Sequence, residues 1–314
     1  MTYTTDLLEK GYFSEVSDPA LVIVSIESAC NLECLHCYWE HGLTKSPERD
    51  WSKQLNAIAR WGSDLLFAGR ILSPQGAKLI RDFYNLTGKK IGIIDNGYTI
   101  LDPRYRDLLD IYDEVNVSID GVAADHDRQR GKVGSSRDAW RAIHVLKEAG
   151  LDPIVSSCVS PINIDRWSEF EAELYQYDVP LSCTPVLGIG GNIGRMPVFS
   201  SKELIKAFEF LLAGVPKLIN LLDPKHMQVL LPLLKEFEWQ IEDDGYTAVV
   251  NSVLVKYRPY SLSTIRELNL QWDGEFYPFM DVLSGGKPVT KDRVLDTANS
   301  FARMEHSLVR TLFE

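Results

Sequence analysis

Three cysteines fall within eight positions of the stretch "SIESACNLECLHCYWEHG" (25–42): Cys30, Cys34 and Cys37, spaced C-x3-C-x2-C with no fourth nearby. Such a spacing is either incidental or a metal site. Structural zinc wants four protein ligands in a tetrahedron, with His36 or His41 as the fourth here. His36 adjoins Cys37, however, and adjacent side chains rarely wrap one ion. A [4Fe–4S] cube takes one thiolate per iron, so three thiolates leave one iron with free coordination. An open position of that kind separates catalytic from structural zinc. The spacing therefore predicts one cluster on Cys30, Cys34 and Cys37, its vacant corner reserved for a substrate or cofactor.

A loop of this kind needs a frame. Short β-branched runs recur at "LVIVSI" (21–26), "DLLFAG" (64–69), "KIGIID" (90–95), "EVNVSID" (114–120), "PIVSSCVS" (153–160) and "PLSCTPVL" (180–187). Between them, helical apolar spacing runs through 49–62, 73–88, 102–113, 135–150 and 165–178, with start signals at Ser73-Pro74 and Asp102-Pro103 and stop signals at Gly62, Gly88 and Gly150. Six alternations imply right-handed βαβ crossovers and a parallel sheet. Chemistry collects at the carboxyl ends of such strands, and the cysteine loop directly follows the first. After about residue 215 the pattern changes. "VPKLINLLDPKHMQVLLPLLKEFE" reads as helix, "YTAVVNSVLVKY" as a strand, "LNLQWDGEFYPF" as a hairpin turned at Asp273-Gly274, and "DRVLDTANSFARMEHSLVRTLF" as an amphipathic helix. The expected division is an N-terminal segment 1–19, a main α/β domain 20–214 and a small α+β appendage 215–314.

The totals narrow the function classes. The chain has 314 residues, 45% apolar and 25% charged, as in ordinary globular proteins. No apolar run approaches the roughly 20 residues of a membrane span, so no membrane partner is expected. The net charge of −11 argues against nucleic-acid backbones as partners. The start lacks a secretory signal, and Cys158 and Cys183 bring the cysteines to an odd five, unlike a disulfide framework. A cytoplasmic location is expected.

The cysteine spacing after the first strand of a β/α repeat resembles the radical S-adenosylmethionine (radical SAM) superfamily, over roughly residues 20–190. The resemblance implies a partial (β/α)6 barrel, with the open iron chelating the amino and carboxylate groups of SAM. One electron, from a donor such as flavodoxin or ferredoxin, then cleaves the sulfonium, and the 5′-deoxyadenosyl radical abstracts hydrogen from the substrate. It places His36 near the adenine. "DNG" (95–97) resembles the family's "TNG", which brings Asn96 to the cofactor. "VSIDG" (117–121) with "HDRQRG" (126–131) resembles the subgroup with C-terminal SPASM or twitch extensions, placing Ser118 and Asp120 near SAM. One departure stands out: the family's Gly-Gly-Glu-Pro after the second strand reads "FAGRILSP" here. Gly69 permits close backbone approach, whereas Arg70 cannot accept a hydrogen bond from the SAM ammonium.

The C-terminal third resembles a twitch scaffold without auxiliary-cluster cysteines. "WDGEFYPF" carries Phe279 where a cysteine would stand, and no cysteine follows Cys183. Without a second cluster to carry away an electron, a redox-neutral outcome is favoured: epimerisation, rearrangement or lyase-type fragmentation. The resemblance implies a natural-product intermediate or a peptide side chain as substrate. Cys158 and Cys183 are candidate hydrogen donors opposite the radical, and "VLGIGGNIGRMP" (186–197) reads as a loop at the cofactor edge. Dehydrogenation, SAM chemistry without hydrogen abstraction, and a metal-stabilised binding scaffold are the alternatives.

Overall fold

The β-branched runs fold as short strands of one sheet, each burying alternate residues against helices. The computed structural model describes all residues except 1–2, 28–29, 38–46, 69–71, 189–192, 216, 272 and 279–289. After helix α1 (Tyr3–Lys10), strands β1 (Leu21–Ser25), β2 (Asp64–Ala68), β3 (Ile91–Asp95), β4 (Tyr112–Ser118), β5 (Ile154–Val159), β6 (Leu181–Pro185) and β7 (Leu218–Leu221) lie side by side in chain order, all parallel. Parallel neighbours require crossovers. These carry α2 (Ser52–Trp61), α3 (Pro74–Thr87), α4 (Tyr98–Leu101), α5 (Ala123–Arg130), α6 (Ser135–Glu148), α7 (Trp167–Tyr177) and α8 (Ser201–Ala213). The fold is α/β, an open barrel.

Local chemistry sets the helix ends. The Ser73 hydroxyl accepts from the Gly76 amide at 3.3 Å, Pro74 opens α3, and Gly88 closes it in the left-handed region. The face of α3 bearing Ala77, Leu79, Ile80 and Phe83 is buried. Residues 102–113 depart from the expected α-helix. Pro103–Asp110 form a 3-10 run broken at Tyr105 (φ −117°), and the next strand already begins at Tyr112.

Beyond residue 215 the chain extends the same sheet at both edges. β7 occupies what reads as helix, because Asp223-Pro224 starts a new one: the Asp223 carboxylate accepts from Lys225 N at 2.8 Å and caps α9 (Pro224–Leu234). After β8 (Gln240–Glu242), the expected single strand is a hairpin of β9 (Gly245–Val250) and β10 (Val253–Tyr257). It reverses at Asn251 and Ser252, which take φ of 50° and 67°, the signature of a two-residue primed turn. β10 pairs parallel with β7. Helix α10 (Tyr260–Arg266) leads to β11 (Glu267–Gln271), which lies parallel against β1 and forms a hairpin with β12 (Phe276–Pro278). Of the Asp273-Gly274 pair only Gly274 has positive φ (84°), so the connection is wider than a type I′ turn, with Gln271 N donating to Glu275 O. α11 (Lys291–Thr311) closes the described chain. Its buried Glu305 accepts from the amides of Tyr260 and Ser261 and the Ser261 hydroxyl, which pins it to the start of α10.

The resulting strand order is β12-β11-β1-β2-β3-β4-β5-β6-β7-β10-β9-β8. Val22, Val24, Phe67, Ile93, Val117, Val155 and Ile219 belong to the core under the helices. By alternation the opposite, concave face carries Ser25, Asn116, Ser118, Ser156, Cys158, Ser182, Asn220 and Asn269. Among the described residues, no helix is long and apolar enough to cross a membrane.

Candidate functional site

The cysteine loop leaves the carboxyl end of β1 and rests on the last turn of α5. The Leu35 amide donates to Gln129 O at 2.8 Å, and a Cβ on Gly131 would stand 2.6 Å from Glu33 O. Only glycine, at φ +69°, permits that approach. Cys34 is buried, Cys30 and Cys37 are partly exposed, and none of the three is in a disulfide. Burial pushes the Cys34 thiol up to about 11 against the pull of Arg130. Deprotonated, it would be a strong electron donor to a metal ion.

Asp120 is the hub beneath the loop. It is fully buried and takes a bidentate fork from Arg130, Nε to Oδ2 at 2.5 Å and Nη2 to Oδ1 at 2.9 Å. The remaining Nη1 reaches the Cys34 Sγ at 4.0 Å. Cys158 N donates to Asp120 Oδ1 at 2.9 Å. Burial alone would raise this carboxyl, but Arg130, with His36 and His126, outweighs it and holds it down to about 2. His36 Nδ1 lies 3.9 Å from Asp120 Oδ2. Burial, only partly offset by Asp120, depresses His36 to about 4, so its ring is neutral at pH 7 and this approach is not an ion pair.

Asn163 and Gln129 complete the base. The Asn163 amide donates to Asp120 O and, at 2.8 Å, to Cys158 O, which also accepts from Gln129 Nε2 at 2.8 Å. His126 Nδ1 accepts from Asp120 N at 3.1 Å, which puts its proton on Nε2. Burial depresses His126 to about 4 from 6.5. Between those pH values the unfolded chain binds a proton that the native ring refuses, so stability falls on acidification from pH 6.5 towards 4, by up to about 3 kcal/mol from this group. Urea unfolding of His126→Asn should show that pH slope reduced relative to wild type; an unchanged slope would contradict the buried neutral ring.

Two further contacts tie the loop down. Asn96 Nδ2 donates to Asn31 Oδ1 at 2.9 Å, while Asp95 Oδ1 accepts from Gly97 N and Thr99 N at 2.7 and 3.2 Å to turn the chain into α4. Arg195 Nη2 donates to Cys34 O and Cys37 O at 3.1 and 3.2 Å. Arg195 falls in the segment 186–197 read from the sequence as a loop at the cofactor edge, although nothing there singled out this side chain; the contact spans 161 residues. At the base of the loop, Glu27 Oε1 accepts from Ser73 Oγ and N at 2.5 and 3.2 Å, joining the end of β1 to the start of α3.

Cys30, Cys34, Cys37, His36, Asn96, Asp120 and Cys158 thus meet at one end of the sheet, with Ser118 on the same concave face. Cys183 does not. It is 0% exposed in the core on the helix side, beside the buried Lys217–Glu171 pair. The candidate hydrogen donor on the sixth strand is therefore corrected: the alternation that turns Ser182 and Thr184 inward turns Cys183 away. Gly69, Arg70 and Phe279 lie outside the described residues, as does part of the glycine segment (189–192). A cavity of about 370 Å³ lined by Glu114, Asn116, Ile154, Ser182, Leu218 and Leu254 opens at the opposite, amino-terminal end of the strands.

The donor set fits an iron–sulfur cluster. A cube takes one thiolate on each iron, and the three cysteines of one braced loop are donors of that type.

No family model matches the chain. It is 27% identical over 161 residues to the sporulation killing factor maturation protein SkfB of Bacillus subtilis, covering 48% of this chain and 38% of that protein. It is 28% identical over 197 residues to a GTP 3',8-cyclase of Thermodesulfovibrio yellowstonii, covering 58% and 61%. The chain thus spans less than two thirds of either relative. In structure it is similar to Streptococcus suis SuiB bound to its precursor peptide SuiA, with a TM-score of 0.66 at 12% identity over 98% of this chain and 70% of that one.

Proposed function

We propose that this chain, a member of the radical SAM superfamily, cleaves SAM reductively at one [4Fe–4S] cluster and uses the resulting radical to take hydrogen from a peptide side chain or natural-product intermediate. The observation that carries this is the three-thiol loop braced by the Asp120–Arg130 pair at the carboxyl end of the sheet. Bound there, the cluster would supply one electron and an open coordination site for the cofactor. The chain's own residues do the positioning. Cys30, Cys34 and Cys37 would hold the cluster; Arg195 and Gln129 fix the loop's backbone. The neutral His36 would offer an uncharged ring to the adenine, and Asn96 and Ser118 would border the cofactor. SuiB with SuiA and SkfB, a maturation protein, support a peptide substrate. The test is anaerobic reconstitution with iron and sulfide, then SAM and dithionite: 5′-deoxyadenosine and methionine should form. Methylthioadenosine instead would overturn hydrogen abstraction.

We infer a redox-neutral outcome at the substrate, because the twitch-like region up to residue 314 carries no cysteine to hold a second cluster there. Cys158 is the remaining thiol donor. Its S–H bond breaks as the substrate radical takes the hydrogen, and the thiyl left behind takes one electron from the external electron donor and one proton from solvent before the next turnover. Cys158 lies on the concave face, its amide held by Asp120, and burial raises its thiol so that it carries a hydrogen atom at neutral pH. In D2O the product should gain one deuterium, and Cys158→Ala should cleave SAM yet release no deuterated product. Equal deuterium incorporation by the variant would remove Cys158 from this role.

A further inference from the structure

We propose that Arg130 is a positioning residue that sets the reduction potential of the iron bound by Cys34, with Asp120 as its counterweight. This rests on the cluster reading above. The guanidinium presents its donors in a rigid planar fork. One edge is spent on Asp120, through Nε and Nη2 at 2.5 and 2.9 Å, which fixes the plane. The other edge carries Nη1 to the Cys34 Sγ at 4.0 Å. The arrangement is rigid: Asp120 is 0% exposed and Arg130 8%. Asp120 is itself held by the amide of Cys158, and Gly131 keeps the end of α5 against the backbone of Glu33.

Hydrogen bonds to the sulfurs and nearby net charge are among the factors that set a cluster's potential. Reduction adds a negative charge, so a cation aimed at a ligating sulfur favours the reduced state and raises the potential. A carboxylate just behind the cation takes part of that effect back. The pair is therefore a balanced device, and its two halves act with opposite signs. A purely structural role would give no such opposition, because removing either partner would simply loosen the loop. Of the cysteine ligands, the structure gives this guanidinium contact to Cys34.

The experiment is an EPR-monitored redox titration of the cluster in reconstituted wild type, Arg130→Lys and Asp120→Asn. In Arg130→Lys the ammonium keeps the ion pair with Asp120 but has no second arm for the sulfur, so the midpoint should shift negative. In Asp120→Asn the amide preserves the shape and leaves the cation unbalanced, so the midpoint should shift positive. Should Asp120→Asn fail to fold, Arg130→Lys decides alone, with circular dichroism as its folding control. A folded Arg130→Lys that loads no cluster would overturn the inference, since loss of loading is what a purely loop-bracing role predicts. Variants that load the cluster fully and share the wild-type midpoint, or shift in the same direction, would overturn the inference while leaving the cluster standing. A wild-type protein that takes up no iron overturns the underlying reading and this inference with it.

Discussion

Cys34→Ala should abolish the brown cluster absorbance and 5′-deoxyadenosine formation together, taking iron from about four per chain to background. Cys34 is the middle ligand of the loop and the most deeply set, buried over Arg130. Without it a cube would keep two protein thiolates, and Arg130 would lose the sulfur its Nη1 faces. Cys183→Ala is the matched control. It removes a thiol of the same type from the hydrophobic core on the far side of the sheet and should cost about 1 kcal/mol of stability with cluster and cleavage intact. If Cys34→Ala still cleaved SAM, the three-thiolate assignment would be wrong.

Asp120→Ala should be the most destabilising single change at the site, by about 3–5 kcal/mol, because it leaves Arg130 buried without its counter-ion. The loss is wider than one ion pair. The Cys158 amide also loses its acceptor, while the contacts of the Asp120 backbone with Asn163 and His126 remain. The urea midpoint should fall sharply, and the apoprotein should load cluster poorly. Removing both charges, as in Asp120→Ala/Arg130→Met, should recover much of the loss, since an apolar pair of similar volume is tolerated where a lone buried charge is not. A single Asp120→Ala within about 0.5 kcal/mol of wild type would place it among changes without structural consequence and refute the hub.

Much of this was legible because the local rules were obeyed. Runs such as "LVIVSI" and "KIGIID" became strands, and Ser73-Pro74 with Gly88 bounded a helix as their chemistry requires. The cysteine spacing named a loop and a ligand type. What the sequence withheld was long-range. Arg130 lies inside the noticed "HDRQRG", yet its partner Asp120 and its reach to Cys34 depend on how α5 packs against the loop. Arg195, in the segment after β6 that read as a cofactor-edge loop, holds the cysteine loop's carbonyls, but nothing in the sequence singled out that side chain. The face of Cys183 was decidable by counting along β6 with Pro185 as the last residue, but only once the strand's ends were fixed. In the C-terminal third, "KLINLLDP" carries helical apolar spacing, and pairing with β6 turned it into a strand. The primed turn fell at Asn251-Ser252, where a polar pair without glycine is a weak signal.

The most direct measurement is the EPR spectrum of the dithionite-reduced, anaerobically reconstituted protein, recorded before and after SAM is added. A cubane signal whose shape changes when the nucleotide occupies the unligated iron is the predicted result. A cubane signal indifferent to SAM, or none from protein loaded with iron and sulfide, would contradict the account.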